Sequence, residues 1–135
     1  MPSDIIAAMF PIVSLDLETT GINPQLDAII EIGAVRFNGN KVDGTYKTLV
    51  NPHRRIPPEI TQLTHITNEM VQTAPTLKEI LEELTEFVAE LPVLGHNVPF
   101  DLSFLHLHGI LRNNPQLDTY DLAAILTPNS SRYNL

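Results

Sequence analysis

The sequence predicts one α/β domain in which a mixed β-sheet carries helices packed against it. Segments rich in β-branched and apolar residues come first, and helical patterns then alternate with short strands. A chain of 135 residues has room for one core. Hydrophobic residues form 43% of it and charged residues 18%, as is typical of a globular domain and not of a disordered or fibrous chain. We therefore expect a single domain over residues 1–135.

The first half of the chain predicts an antiparallel meander of three strands. The first strand is expected over residues 11–16 and ends at the polar turn Thr19-Thr20-Gly21. The second strand, over residues 28–37, is apolar on both faces, as is typical of a central strand. Asn38-Gly39-Asn40 then predicts a hairpin turn to a third strand over residues 45–50.

The second half predicts helices and short strands. Residues 51–58 are rich in proline and end the meander, and residues 59–72 predict short helical turns. A helix is expected over residues 76–90, because its apolar positions follow the helical period and Thr76 forms a capping box with Glu79. Four further elements are expected: a strand over 93–95, a helix over 99–111 starting at Pro99, a strand over 116–119 and a helix over 121–126.

Composition limits the partners that the chain can have. The formal net charge of −8 and the scattered basic residues argue against tight duplex binding, but a small contact at a strand end, bridged by cations, fits them. No apolar run approaches the roughly 20 residues that span a bilayer, and residues 1–10 lack a signal-peptide pattern, so we expect a cytoplasmic protein without membrane contact. Since cysteine is absent, any metal must bind oxygen or imidazole.

Three acidic residues are candidates for chemistry. Asp16 and Glu18 are two positions apart on the first strand, so both carboxylates leave the same face. Two close carboxylates repel unless a cation or proton lies between them, and hard divalent cations prefer such ligands. From spacing alone, the favoured interpretation is a pair that faces water beside a polar turn. Asp101 lies in the first turn of an otherwise apolar helix, where the helix dipole alone favours an acid by about 0.3–1 kcal/mol.

Two motifs resemble those of the DEDD 3′-to-5′ exonucleases, in the order and separation found in that family. The segment between them and the late pair Asp118-Thr119 are also similar, so the resemblance runs from about Ile12 to the C-terminus. Together these features are much more specific than one pair of acids. The family includes proofreading subunits of bacterial replicative polymerases, ribonuclease T and exonuclease domains joined to helicases. The motifs are Asp16-Leu17-Glu18-Thr19-Thr20-Gly21 and Gly95-His96-Asn97-Val98-Pro99-Phe100-Asp101.

The resemblance implies a ribonuclease H-like fold and hydrolysis of phosphodiester bonds at nucleic-acid 3′ ends by two Mg²⁺ or Mn²⁺ ions. Asp16, Glu18 and Asp101 are then both the catalytic residues and the metal ligands. The expected partners are a single-stranded 3′ end, of DNA in preference to RNA, and a polymerase or a helicase, although the order of the motifs favours neither nucleic acid. The residues expected to contact the substrate are Thr19, Thr20, Leu63, Thr64, Asn97 and Phe100, of which Phe100 either stacks on a base or fills the core.

The third motif of the family, a histidine followed by a fourth metal-binding aspartate, has no counterpart in this sequence. After Asp121 there is no histidine and no acidic residue. Because that histidine is the general base, we expect a domain that is incomplete at its C-terminus, with lower metal affinity and weak or no activity. The alternative is a non-catalytic module that binds a nucleic-acid end or a replication or repair partner. The histidines present are interpreted as surface or packing residues: His53, His96, His106, His108, and His65, which stands where relatives commonly have glycine.

Overall fold

A five-stranded mixed sheet forms the centre of the structure, a computed structural model that describes residues 11–119. Its spatial order is β3-β2-β1-β4-β5. β1 pairs antiparallel with β2 and β2 with β3, whereas β4 pairs parallel with β1 and β5 with β4. The predicted meander with added parallel strands is therefore confirmed. The strands are β1 (Ile12–Thr19), β2 (Ile29–Asn38), β3 (Lys41–Leu49), β4 (Val93–Gly95) and β5 (Gln116–Asp118).

Four helices lie within residues 11–119: α1 (Pro58–Thr64), α2 (Asn68–Gln72), α3 (Leu77–Val88) and α4 (Val98–His106). None of these is long and apolar enough to cross a membrane. The predicted capping box of α3 is present, since the Thr76 N–H donates to the Glu79 carboxylate at 2.7 Å and the Glu79 N–H to the Thr76 hydroxyl at 3.3 Å. The helix predicted over 121–126 lies outside the described residues.

Three elements differ from the prediction by three or more residues at one end. β1 continues beyond Asp16 to Thr19, because it stays paired with β2 up to a bulge between Glu18 and Thr19. β3 begins at Lys41 and not at residue 45, since pairing with β2 starts directly after the turn. α4 ends at His106, five residues before the predicted end at 111, because Gly109 and Leu111 have left-handed backbone angles that cannot continue an α-helix.

The main core fixes the direction of the β1 side chains. Val13, Leu15 and Leu17 are at most 5% exposed and share one hydrophobic cluster with residues of α3 and α4. Because side chains alternate along a strand, the intervening residues Ser14, Asp16 and Glu18 face the other side of the sheet. A second, smaller cluster of buried residues lies beside α1 and α2 and consists of Ile30, Ile56, Ile66 and Val71.

Candidate functional site

Asp16 and Glu18 project from the same face of β1, as the spacing predicts. Asp16 is exposed, whereas Glu18 is partly buried and lies opposite Glu31 of β2. Burial raises the pKa of Glu18 above its ordinary value of 4.5, and the negative charges of Asp16 and Glu31 raise it further. Like charges opposite each other on paired strands destabilise a sheet. The end of β1 therefore carries negative charge that no basic side chain offsets in an ion pair among residues 11–119.

Asp101 brings a third carboxylate to this charge cluster from α4. It is only 5% exposed, between the fully buried Val98 and Leu102. Burial raises the pKa of Asp101 to about 7 from 3.8, and the charges of Asp16, Glu18 and Asp118 add to the increase. α4 and β1 therefore bring together the three acids that the two sequence motifs supply. We refer to Asp16, Glu18 and Asp101 as the carboxylate cluster.

The start of α4 is held by Asp118, a residue that the sequence analysis assigned only to the late strand. Its carboxylate accepts hydrogen bonds from the N–H groups of Asn97 at 3.3 Å and Val98 at 3.0 Å. The first N–H groups of a helix lack partners within the helix, and a negative charge beside them is favourable. Asn97 occupies the N-cap position with φ of 53° and ψ of 47°, but its side chain makes no capping hydrogen bond. Its exposed amide is thus not needed to cap α4.

A second contact joins the same two segments. Nδ1 of His96 lies 3.2 Å from the Thr119 hydroxyl. His96 is exposed, and the contact links the turn before α4 to the end of β5. This position agrees with the interpretation of His96 as a neighbour of the motif and not as a base.

The loop between β1 and β2 is organised around Asp27. Its two carboxylate oxygens accept hydrogen bonds from the Thr20 hydroxyl at 3.2 Å and from the Asn23 N–H at 3.0 Å. A Cβ at Gly21 would lie 2.4 Å from the nearer of these oxygens, so any other residue there would displace the Asp27 carboxylate from its hydrogen bonds. The sequence analysis missed Asp27, because nothing in its spacing from the motif indicates that it closes the loop.

Both threonines of the first motif make contacts within this loop. The Thr20 hydroxyl also accepts from the Ala28 N–H at 2.9 Å, and the Thr20 N–H donates to the Ala28 carbonyl at 2.8 Å. Thr20 is 4% exposed, so its side chain supports the loop from inside. The Thr19 hydroxyl donates to the Gly21 carbonyl at 2.6 Å. Nucleotide contacts by Thr19 and Thr20 stay predictions, and the internal bonds leave Thr20 with no free donor.

Leu63, Thr64 and Phe100 are also expected to contact substrate, and they differ in exposure and in their contacts within the fold. Leu63 is 76% exposed, so its side chain is accessible to a ligand and contributes little to the core. Thr64 donates its hydroxyl to the Ile60 carbonyl at 2.8 Å and so supports the end of α1. Phe100 is partly buried and makes an edge-to-face contact with Phe104, with the ring centroids 5.3 Å apart. This contact supports the alternative in which Phe100 belongs to the core.

His65 follows α1 as its C-cap residue. Its φ of 64° and ψ of 14° lie in the left-handed region, and its N–H donates to the Thr61 carbonyl at 2.7 Å. Glycine adopts this conformation without steric cost, whereas a residue with a side chain, such as His65, adopts it only at a cost. The left-handed backbone gives His65 a structural role at the end of α1.

The donors of the carboxylate cluster suit a hard divalent cation, because all of them are oxygen atoms of acidic side chains. No group of three His, Cys, Asp or Glu side chains within residues 11–119 is close enough in this structure to hold a metal ion. The cluster thus fits Mg²⁺ or Mn²⁺ in its chemistry, and its side chains would have to move closer together to share one.

Comparison with known families and proteins gives consistent results. A family model described as exonuclease, RNase_T, matches residues 13–135. PolC-type DNA polymerase III of Clostridium perfringens is 39% identical over 127 residues, and that of Thermotoga maritima is 40% identical over 119 residues. The matches cover 91% and 84% of this chain but only 9% of each relative. The chain thus corresponds to a small part of these large proteins.

Solved structures share the fold. Exonuclease X in complex with 5′ overhanging duplex DNA is 25% identical, with a TM-score of 0.65, and the match covers 91% of this chain and 68% of that one. Escherichia coli exonuclease I in complex with a dA16 oligonucleotide is 19% identical, with a TM-score of 0.72, and the match covers 87% of this chain and 30% of that one. The expected ribonuclease H-like architecture is confirmed by these similarities.

Proposed function

Because the chain belongs to the DEDD superfamily of exonucleases and resembles the proofreading domain of PolC-type DNA polymerase III, we propose that it removes nucleotides from the 3′ end of single-stranded DNA with the help of divalent metal ions. The observation that carries this proposal is the carboxylate cluster. Two acids of β1 and one of α4 are near enough for their charges to raise the pKa of the buried Asp101.

We assign Asp16, Glu18 and Asp101 as ligands of Mg²⁺ or Mn²⁺. Glu18 is partly buried and Asp101 is buried, so the negative charges of the three carboxylates are unfavourable there unless a cation compensates them. The raised pKa values of Glu18 and Asp101 indicate this cost. A bound cation would supply charge that activates water and stabilises the leaving 3′ oxygen. The three side chains position that charge at the end of β1, beside the loop that contains Thr19 and Thr20.

The terminal nucleotide is proposed to lie between this loop and α1. Leu63 offers an exposed apolar side chain against the base, and Asn97 offers an exposed amide beside the start of α4. Phe100 keeps part of its ring accessible beside Asp101 and can contact the base while its other edge packs against Phe104. DNA is the proposed substrate because the PolC-type relatives are DNA polymerases.

The 135 residues contain no histidine after His108. In the residues that the structure describes, none of the five histidines is placed as an obvious base: His96 contacts Thr119, and the Nε2 of His106 lies 3.1 Å from the Leu111 carbonyl. We therefore propose that a polypeptide of these residues alone hydrolyses DNA weakly, since a positioned base contributes typically ~10²–10⁴-fold.

The alternative is a module that binds a 3′ end without cutting it. The absence of a positioned histidine within residues 11–119 favours this alternative, whereas the carboxylate cluster favours the enzyme. Three acidic side chains repel a phosphate backbone unless cations bind them, so their presence together supports a metal-dependent reaction over binding alone.

A hydrolysis assay separates the two functions. A 5′-labelled single-stranded DNA is incubated with the chain and Mg²⁺ or Mn²⁺, and the products are resolved at single-nucleotide resolution. The proposal expects slow shortening from the 3′ end, lost in Asp16→Asn and unchanged in Glu86→Gln, an exposed acid of α3. Binding without any shortening, by a version extended with the histidine and aspartate of the family's third motif, would establish the non-catalytic module.

A further inference from the structure

Glu31 is the one charged residue among the first seven positions of β2, residues 29–35. It stands between Ile30 and Ile32, whose side chains are both fully buried. Acidic residues are depleted in strands, so the strand itself gives no reason for a carboxylate at this position. Neither of the two sequence motifs contains Glu31, and the function proposed above gives it no role.

The side chain of Glu31 leaves the same face of the sheet as the acids of β1. In the register of the antiparallel pair, Glu31 lies directly opposite Glu18. Directly opposite residues project from the same face, with their Cβ atoms about 4.5–5.5 Å apart. Asp16 shares this face, because it is two positions from Glu18 on β1. Three carboxylates therefore meet on one surface of two neighbouring strands, on the side away from the main core.

The charge of Glu31 is unfavourable for the metal-free fold. The ion pair found within residues 11–119 joins Arg36 to Asp43, so no basic side chain of this part of the chain forms an ion pair with Glu31. Glu31 is one of the negative charges that raise the pKa of Glu18, after burial and Asp16. Like charges directly opposite each other destabilise a sheet. The fold therefore keeps Glu18 and Glu31 together against their mutual repulsion.

Asp101 gives an independent indication that a cation belongs at these carboxylates. β1 pairs with β2 along one edge and with β4 along the other, and α4, which follows β4, brings in Asp101. Asp101 is 5% exposed, and burial and three negative charges raise its pKa, whereas no hydrogen bond or positive charge within residues 11–119 lowers it. A buried carboxylate that faces other carboxylates is stable in its charged form only when a cation compensates it.

We propose that Glu31 is a fourth carboxylate of the metal site and acts, together with Glu18, on the divalent cation that the carboxylate cluster binds. Carboxylate oxygens are the ligands that Mg²⁺ and Mn²⁺ prefer. The repulsion between Glu18 and Glu31 lowers the stability of the metal-free strands, and the same negative charge increases the affinity for a divalent cation. This inference rests on the proposed function, because it takes Asp16, Glu18 and Asp101 as ligands of that cation.

The test measures two quantities for one set of variants: Mn²⁺ affinity by calorimetry, and the midpoint of urea unfolding in EDTA. Glu31→Gln removes the charge and keeps the shape of the side chain. Glu86→Gln is the matched control, since it makes the same replacement on the exposed surface of α3. Glu18→Gln and the double variant with Glu31→Gln test whether both residues act on one ion, and Asp16→Asn tests the carboxylate cluster separately. Each Mn²⁺ titration is made at about 0.1 M and about 1 M NaCl, which screen exposed charges beyond about 10 Å and about 3 Å.

We expect Glu31→Gln to change the two quantities in opposite directions. Removal of one of two opposed charges should raise the urea midpoint of the metal-free protein. Mn²⁺ affinity should fall about tenfold at both salt concentrations, the lower end of the range for groups that support a bound metal. In the double variant the loss should be smaller than the product of the two single losses, because residues that act on one ion are not independent. Glu86→Gln should leave both quantities unchanged.

Three results would overturn the inference. The first is a Mn²⁺ affinity of Glu31→Gln equal to that of Glu86→Gln. The second is a loss of affinity that disappears at about 1 M NaCl, because salt screens the effect of a distant charge and not that of a ligand. The third is a fall in both the affinity and the urea midpoint, because Glu31 would then only support the strand.

Asp16→Asn separates this inference from the proposed function. If Asp16→Asn loses Mn²⁺ affinity and Glu31→Gln does not, the carboxylate cluster is supported and the inference about Glu31 is wrong. If Glu31→Gln loses affinity and Asp16→Asn does not, the role of Glu31 in cation binding is supported and the proposed catalytic site is contradicted. An unchanged chain that binds no Mn²⁺ would overturn both.

Discussion

The carboxylate of Asp118 accepts a hydrogen bond of 3.0 Å from the backbone N–H of Val98. Through this bond the end of β5 fixes the start of α4, the helix that carries Asp101. Asp118 is therefore a positioning residue for the carboxylate cluster. Its own negative charge also contributes to the raised pKa of Asp101. The position of Asp101 in space thus depends on a contact between two separate parts of the chain.

Replacement of Asp118 should weaken both stability and metal binding. Asp118→Ala leaves the N–H groups of Asn97 and Val98 without their acceptor, and loss of an N-cap acceptor costs about 0.5–2 kcal/mol. Asp118→Asn keeps one carbonyl oxygen and should lose less. Urea unfolding and Mn²⁺ titration of both variants check this order. If Asp118→Ala matches the unchanged chain in both measurements, the positioning role is wrong.

Asp101 should make the metal-free protein less stable as the pH rises. Its folded pKa of about 7 lies above the ordinary 3.8, so between these values only the folded state keeps the proton. The retained proton contributes fully to the free energy of unfolding below about pH 4. As the pH rises from about 4 to about 7, this contribution falls by at most about 1.4 kcal/mol per pH unit and is then lost. Asp101→Asn does not titrate and should gain stability relative to the unchanged chain between pH 5 and pH 8.

Urea unfolding in EDTA at pH 5 and at pH 8 measures the free energy of unfolding of Asp101→Asn and of the unchanged chain. Glu86→Gln serves as the control, since it removes an exposed carboxylate far along α3 from the cluster. An equal pH dependence in Asp101→Asn and in the unchanged chain would contradict the raised pKa of Asp101.

The buried hydroxyl of Thr20 should be required for the shape of the β1–β2 loop. Thr20→Val has nearly the same volume but loses the bonds to Asp27 and to the Ala28 N–H, and unsatisfied buried groups of this kind cost about 1–3 kcal/mol. Thr20→Ser keeps the hydroxyl and should be affected much less. Thermal melting of the two variants compares them, and equal melting temperatures would show that the hydroxyl is dispensable.

Leu63 should contribute to substrate binding and not to stability. It is 76% exposed, so Leu63→Ala should change the free energy of unfolding by less than about 0.5 kcal/mol. Loss of an apolar contact with a base should weaken thymidine 5′-monophosphate binding severalfold, since each buried methylene group contributes about 0.8 kcal/mol. Val42→Ala, another exposed apolar residue, is the control. Equal nucleotide affinity in the two variants would remove Leu63 from the site.

Local patterns predicted much of this fold correctly. Thr76 and Glu79 form the capping box that their spacing indicates, and the alternation along β1 places Asp16 and Glu18 on one face. The end of α4 was predicted too late, because Leu111 continues the apolar period of the helix although its backbone is left-handed and its side chain reaches the core from the following loop. Periodicity reports burial, and it cannot distinguish a helix from a loop that returns to the same core.

The site was predictable only where one motif contains it. Asp16 and Glu18 are two residues apart, whereas the contacts of Asp118 with α4 and of Asp27 with Thr20 depend on how strands and loops meet in space. In the sequence, the single indication of a role for Asp118 was that it is an acidic residue at the end of a predicted strand.

The most direct test of the central claim is a calorimetric titration of the chain with Mn²⁺. We expect saturable binding whose affinity falls at least about tenfold, or about 1.4 kcal/mol, in Asp16→Asn and in Asp101→Asn, and is unchanged in Glu86→Gln. Such a pattern would place the ion at carboxylates from both β1 and α4. Mn²⁺ binding with equal affinity to all four proteins, or no binding to the unchanged chain, would contradict the assignment of Asp16, Glu18 and Asp101 as one metal site.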